Sequence, residues 1–273
     1  MLYTDKKFGP NSFPPQPMET LQIFSLKIAE TSERFPWPLD VFGMVVARDS
    51  LDQNRNIIFH RTRDNCQTIS TENPYLELTG PSRAVVVLDP VHLEVMLQVK
   101  RAGQAKDECI SYLVVRYGDP TWMESRVIKR VCASKLSTVE LTLGSIVRSV
   151  EATISVQVLG GSWPDGFRGE FTANTTSIED MKIQLLAFGD GKLPIASDGM
   201  VKLSRRVVSV ELKGELRVSV KAVGGQAVEM IDSKTFKARR AGRRKADVEV
   251  GSCKLKVTVA WSRISDRQYP GGW

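Results

Sequence analysis

Between Arg48 and Asp64 the chain gathers residue types that could do chemistry: Arg48, Asp49, Asp52, Asn54, Arg55, His60, Arg61 and Asp64. Clustered carboxylates of this kind can hold calcium in a sandwich loop, and arginines can grip a phosphate or carboxylate with two parallel hydrogen bonds. The three aspartates lack the spacing of a calcium loop, so no metal is assigned. A structural reading fits the pattern better, with Arg–Asp pairs and Asn side chains tying an irregular loop to its own backbone. An enzyme built around residues 48–64 is the rival reading.

A second group is the stretch Lys234-Thr-Phe-Lys-Ala-Arg-Arg-Ala-Gly-Arg-Arg-Lys245. It holds seven basic residues in twelve and no acid, which equals the net charge of +7 carried by all 273 residues. Strand-like pieces flank it, so it is expected to form a projecting loop or hairpin. Lys237, Arg239, Arg240, Arg243, Arg244 and Lys245 are the candidate contacts to nucleic acid or an acidic partner, and such runs also serve in nuclear import. The bland alternative is a solvated basic loop. Phe236 is its one aromatic residue, too few for a platform on which bases stack.

Other chemistry finds little support. The two histidines, His60 and His92, belong to no metal-binding spacing. No G-x-S-x-G nucleophile elbow occurs. Gly160-Gly-Ser-Trp-Pro-Asp-Gly166 opens no predicted helix and lacks the lysine of a phosphate loop, so it reads as a turn cluster. No catalytic residue, cofactor or metal ligand is therefore assigned.

The elements that position these groups are strands. Val91, Leu93, Val95, Leu97 and Val99 alternate with polar or exposed-type residues, and so do Ala152–Val158, Val208–Leu212, Leu216–Val220 and Cys253–Trp261. Successive side chains of a strand point to opposite faces, so this period of two marks strands buried on one side. Further strands are expected at Leu21–Ile28, Phe42–Ala47, Arg83–Leu88, Ile110–Tyr117, Leu136–Leu143 and Met181–Phe188, with Lys213-Gly214-Glu215 as a tight hairpin connection. No segment offers three clean helical turns. One-sided antiparallel strands must cover their apolar faces, which predicts an all-β antiparallel sandwich or flattened barrel. Trp37, Leu93, Val95, Val156, Val210, Val218, Val257 and Trp261 are the predicted core.

Residues 1–19 hold four prolines and little apolar periodicity, and read as a flexible N-terminal arm. Residues 20–265 read as a single β-rich domain and 266–273 as a tail. The first residues contain no apolar signal region, and no run of 18 apolar residues occurs, so no membrane insertion is expected. Cys66, Cys109, Cys132 and Cys253 are widely spaced, which suggests reduced, buried thiols and a cytoplasmic or nuclear setting.

Five segments carry a family resemblance: Trp37-Pro-Leu-Asp-Val-Phe-Gly43, Ala47-Arg-Asp-Ser-Leu-Asp-Gln-Asn-Arg-Asn56, Arg61-Thr-Arg-Asp-Asn-Cys-Gln67, Leu78-Thr-Gly-Pro-Ser-Arg-Ala84 and Val257-Thr-Val-Ala-Trp-Ser262. On these the chain resembles a plant family, expanded in grasses, known as domain of unknown function 6598. The resemblance implies a plant source and one β-rich domain. Some members of that family are fused behind a ribosome-inactivating N-glycosidase domain, which implies a stress or defence setting. The family has no established catalytic residues, so none is carried over. The resulting expectation is a non-catalytic module with a protein partner, and RNA or the ribosome as the alternative ligand of the basic stretch. The sequence leaves the oligomeric state open.

Overall fold

The computed structural model describes residues 4–5, 15–52, 54–101, 106–118, 123–189, 191–225 and 228–264. The expected tail at 266–273 and most of the expected arm lie outside these residues. The architecture is the expected all-β one, with antiparallel sheets packed as a sandwich and no closed barrel.

By internal contacts the chain forms two compact units, Glu19–Ser145 and Met1–Met18 with Ile146–Trp273. The boundary falls inside one strand, β9 (Ser137–Gly160), not in a Pro- or Gly-rich linker. For that reason the sequence carries no mark of it, and residues 20–265 read as one piece. The strand also replaces two expected ones, Leu136–Leu143 and Ala152–Val158. Its polar middle is held by hydrogen bonds: the Ser145 hydroxyl donates to Glu19 (2.6 Å) and the Ser149 hydroxyl to the Met18 carbonyl (2.9 Å).

In the Glu19–Ser145 unit the strands are β1 (Met18–Thr31), β2 (Leu39–Arg48), β3 (Asn56–Arg61), β4 (Gln67–Ile69), β5 (Val85–Val86), β6 (Val91–Val99), β7 (Glu108–Tyr117), β8 (Arg126–Ala133) and the first part of β9. One sheet runs β3-β2-β6-β7 with β4 also on β2, while β1 lies between β5 and β9, and β8 pairs β9. The expected alternation in β6 is real: Val91, Leu93, Val95, Leu97 and Val99 are buried and His92 and Gln98 exposed. They join Ile23, Leu26, Val41, Phe59 and Leu141 in one apolar core. Trp37 only packs half-buried against it. The expected strand Arg83–Leu88 shrinks to Val85–Val86 because its neighbours serve the loop after β2, as described below.

The other unit adds β10 (Arg168–Thr175), β11 (Ile178–Phe188), β12 (Val207–Glu211), β13 (Glu215–Val223), β14 (Glu229–Lys237), β15 (Gly242–Val250) and β16 (Cys253–Ser262). One sheet has the order β11-β10-β13-β14, and the rest of β9 pairs with β12 and β16, with β15 outside β16. Val156, Val210, Val218, Val257 and Trp261 are completely buried, as expected. The turn at Lys213-Gly214-Glu215 exists, but it is not a hairpin: β12 pairs β9 and β13 pairs β10 and β14. Each flanking run alternates correctly, yet alternation says which face is apolar and not which neighbour a strand takes.

Candidate functional site

The loop after β2 is organised by a residue that the sequence reading did not single out, Arg83. Its guanidinium grips Asp49 with two bonds, Nη1 to Oδ2 at 2.7 Å and Nη2 to Oδ1 at 2.8 Å. It also donates to Asp52, from Nη2 at 3.0 Å and Nε at 3.3 Å. The Asp49 side chain is 1% exposed and accepts the backbone amides of Val86 (2.7 Å) and Leu51 (3.2 Å) as well. Asp52 accepts the Asn54 amide at 3.0 Å, closing a local turn. Next to this knot the buried Asn56 side chain donates to the Arg83 carbonyl (2.8 Å) and accepts the Ser82 amide (3.0 Å).

The electrostatics follow from these contacts. Burial works to lower the affinity of Arg83 for its proton, but the hydrogen bonds to Asp49 and Asp52 outweigh it and hold the guanidinium charged more firmly than usual. Burial likewise pushes the Asp52 carboxyl up, while Arg83 and the Asn54 amide pull it further down, for a net lowering. Arg83 bridges the two carboxylates, and Asp49 and Asp52 also accept backbone amides of the loop, so the arrangement holds the shape of the loop. Among the described residues no group of three or more His, Cys, Asp or Glu could hold a metal ion.

The remaining polar residues of this stretch point to separate places. Arg48 and Arg55 both pair with Glu94 on β6, at 2.5 and 3.2 Å. Arg61 pairs with Glu77 at 2.6 Å. His60 is exposed on β3 opposite Met44, and Asp64 is exposed in a short 3-10 turn, Arg63–Asn65. The eight candidates therefore do not converge on one point. The signal for Arg83 was present: it is a lone arginine between Ser82 and the apolar Ala84-Val85-Val86, where a charge needs a buried partner.

The basic stretch is a different kind of surface. It is not a projecting loop or hairpin but a crossover between sheets, because β14 pairs β13 whereas β15 pairs β16. Lys234 and Lys237 belong to β14, Arg243, Arg244 and Lys245 to β15, and only Arg239 and Arg240 lie in the connection. Phe236 is buried at 6% exposure and sets the β14 register, so its alternation with Thr235 and Lys237 is that of a strand. The crossover is anchored by the Ala238 amide on the Gly214 carbonyl (3.1 Å) and the Gly242 amide on the Thr4 carbonyl (2.8 Å).

Lys237, Arg239, Arg240, Arg243, Arg244 and Lys245 are all exposed. Arg243 pairs with Asp5 at 2.5 Å, and Arg244 donates to the Arg243 carbonyl. The nearby Arg263 guanidinium is held below its ordinary value by burial and by the like charge of Arg240. A positive field of this kind suits phosphates or carboxylates. With Phe236 turned inward, the one aromatic ring of the stretch is not available for a base to stack on.

A polar concavity of about 290 Å³ opens on the β11-β10-β13-β14 sheet, and its lining includes Glu179, Asp180, Glu215 and Arg217. Its acidic balance sets it apart from the basic crossover. The four cysteines are free thiols, but only Cys253 is buried, whereas Cys109 is exposed and Cys66 and Cys132 are half-buried. Burial raises the Cys253 and Cys132 thiols above their ordinary value.

Three comparisons bear on this geometry. The family described as Domain of unknown function (DUF6598) matches residues 20–259. No curated protein matches the chain. Among solved structures, the pair of C2 domains of calcium-bound Extended-Synaptotagmin 2 aligns at 7% identity and a TM-score of 0.30, covering 94% of this chain and 100% of that one. Human GIVD cytosolic phospholipase A2 aligns at 8% identity and a TM-score of 0.27, covering 91% of this chain. This chain spans only 33% of that phospholipase. Scores this low carry no argument about either protein's properties.

Proposed function

This chain belongs to the DUF6598 family, a domain of unknown function, and on that premise we propose that it is a non-catalytic interaction module. Its partner is an acidic protein surface that docks on the basic crossover. The observation that carries this reading is the contrast between the two charged regions. Asp49 and Asp52 share the Arg83 guanidinium inside a loop, whereas Lys237, Arg239, Arg240, Arg244 and Lys245 form no ion pair with any described residue and face solvent. The plant stress or defence setting, with a ribosome-inactivating partner, belongs to the proposal and rests on the family resemblance alone. So does a cytoplasmic or nuclear location; no helix among the described residues is long and apolar enough to cross a membrane.

The second reading is RNA or the ribosome as the ligand of the same residues, favoured by the density of arginine, which matches phosphate geometry. Immobilised wild-type chain and a variant with Arg239, Arg240, Arg243 and Arg244 changed to Ser separate the two when challenged with plant extract before and after nuclease treatment. Acidic proteins that elute with salt, survive nuclease and are lost in the variant support a protein partner. Retention abolished by nuclease supports RNA. Equal retention on both proteins refutes the crossover as the binding surface.

A further inference from the structure

The strand β7 ends its sheet: it pairs β6 on one side and no described strand on the other. A free edge exposes a row of unpaired amides and carbonyls, and proteins usually blunt it with charge or cover. Other edges of this molecule are protected in that way. Outermost β15 carries Arg243, Arg244 and Lys245; β14 carries Glu229, Asp232, Lys234 and Lys237; β8 carries Arg126, Lys129 and Arg130. On β3 the Ile58 carbonyl accepts the Thr79 and Gly80 amides, and on β11 the Leu185 carbonyl accepts the Arg205 amide.

Beyond Ile110, whose carbonyl accepts the Ser137 hydroxyl at 2.8 Å, the centre of β7 has neither protection among the described residues. Cys109-Ile-Ser-Tyr-Leu-Val-Val115 contains no charge, no Pro and no Gly, and is rich in strand-forming residues. Tyr112 is 76% exposed and Val114 61% exposed. Both lie on the outer face, opposite Met96 and Glu94 of β6, and Arg116 follows on that face opposite His92.

We propose that β7 pairs antiparallel with β7 of a second copy of this chain, about a twofold axis through Val114. The order of side chains selects both the partner and the axis. Pairing about Val114 sets Tyr112 opposite Arg116 of the partner subunit, twice by symmetry, so that each ring meets a guanidinium. The same register sets Leu113 opposite Val115 of the partner subunit and Val114 opposite itself. Moving the axis to Leu113 would set Arg116 against Ile110, which is buried and whose carbonyl already accepts the Ser137 hydroxyl at 2.8 Å. A foreign strand would have to supply this order of aromatic, apolar and cationic side chains, whereas a second copy supplies it by symmetry.

Sedimentation of the full chain across the micromolar range tests the proposal, beside Val114→Lys and Val114→Thr. The exposure of Val114 leaves both variants folded, and an unchanged circular-dichroism spectrum checks this. Wild type and Val114→Thr are expected to dimerise reversibly. Val114→Lys, which sets two like charges across the axis, weakens the dimer about tenfold or more. The amides of residues 112–116 that point away from β6 exchange more slowly as wild-type concentration rises. A monomer at every concentration overturns the proposal, and so does a dimer that Val114→Lys leaves intact.

Discussion

At the scale of single residues, Arg83 decides the conformation of the loop after β2. Asp49 is almost wholly buried, and removing its only charged partner among the described residues leaves an uncompensated carboxylate. Arg83→Ala is expected to cost about 3 kcal/mol in urea unfolding, at the low end for breaking a buried pair because Arg83 keeps some exposure. Arg83→Lys recovers little of the loss, since an ammonium cannot hold two carboxylates in a planar fork. Asp52 adds a pH dependence. Its folded carboxyl titrates below the ordinary 3.8, so its contribution is complete above that value and disappears as pH falls through the lower, folded one. Thermal melts from neutral to acid pH should therefore show Asp52→Asn losing less stability in acid than the wild type does. Arg148 in β9 has a φ of 45°, the one positive value at a non-glycine among the described residues. Arg148→Gly should relieve about 1 kcal/mol of backbone strain and raise the melting temperature. The loop's charged residues were legible in the sequence, but their grouping was not, because Arg83 follows Asp49 by 34 residues and only the fold brings them together.

At the scale of elements, alternation located the long strands and missed those whose inner face is thin. β8 buries only Ile128, and β10 buries Gly169, Phe171, Ala173 and Thr175, so neither shows a clean apolar stripe. Charge dominates the composition of the basic stretch and suggests a projecting loop or hairpin, yet one buried Phe236 and the edge position of β15 make it mostly strand. Edge strands tolerate such charge on both faces because one side meets water. The assigned register is testable in each unit. Val95 and Val257 are completely buried, and a carboxylate at either has no partner. Val95→Asp and Val257→Asp are each expected to destabilise by several kcal/mol or to prevent folding, read from denaturant midpoints; stable, soluble variants would refute the register. Gly43 offers a backbone test inside β2. Its φ is +120°, and a Cβ there would come within 2.2 Å of the Met96 carbonyl oxygen on the paired strand β6. Gly43→Ala should lower the melting temperature markedly despite adding a single methyl group.

At the scale of the whole molecule, the basic excess is concentrated. The seven basic residues of 234–245 match the net charge of +7, so the rest of the sequence is close to balanced. Of these seven, Lys234 pairs with Asp232 and Arg243 with Asp5, and the others project from the crossover. A surface of this kind makes binding electrostatic, fast to form and sensitive to salt. The composition and the stretch itself were legible from the sequence; the division into two compact units was not, since a continuous strand carries the chain across it. The most direct test of the proposed interaction surface is a salt series of binding to two defined polyanions, a single-stranded RNA oligonucleotide and a poly-glutamate peptide. Wild type is compared with the variant in which Arg239, Arg240, Arg243 and Arg244 are Ser. The account predicts wild-type affinity that falls with salt and a variant that binds more weakly. If all four arginines contact phosphates, the variant's slope on the RNA should be shallower by about 3, at roughly 0.7 per contact. The stronger of the two ligands identifies the partner class. Equal affinity and equal salt slope in the two proteins would contradict it.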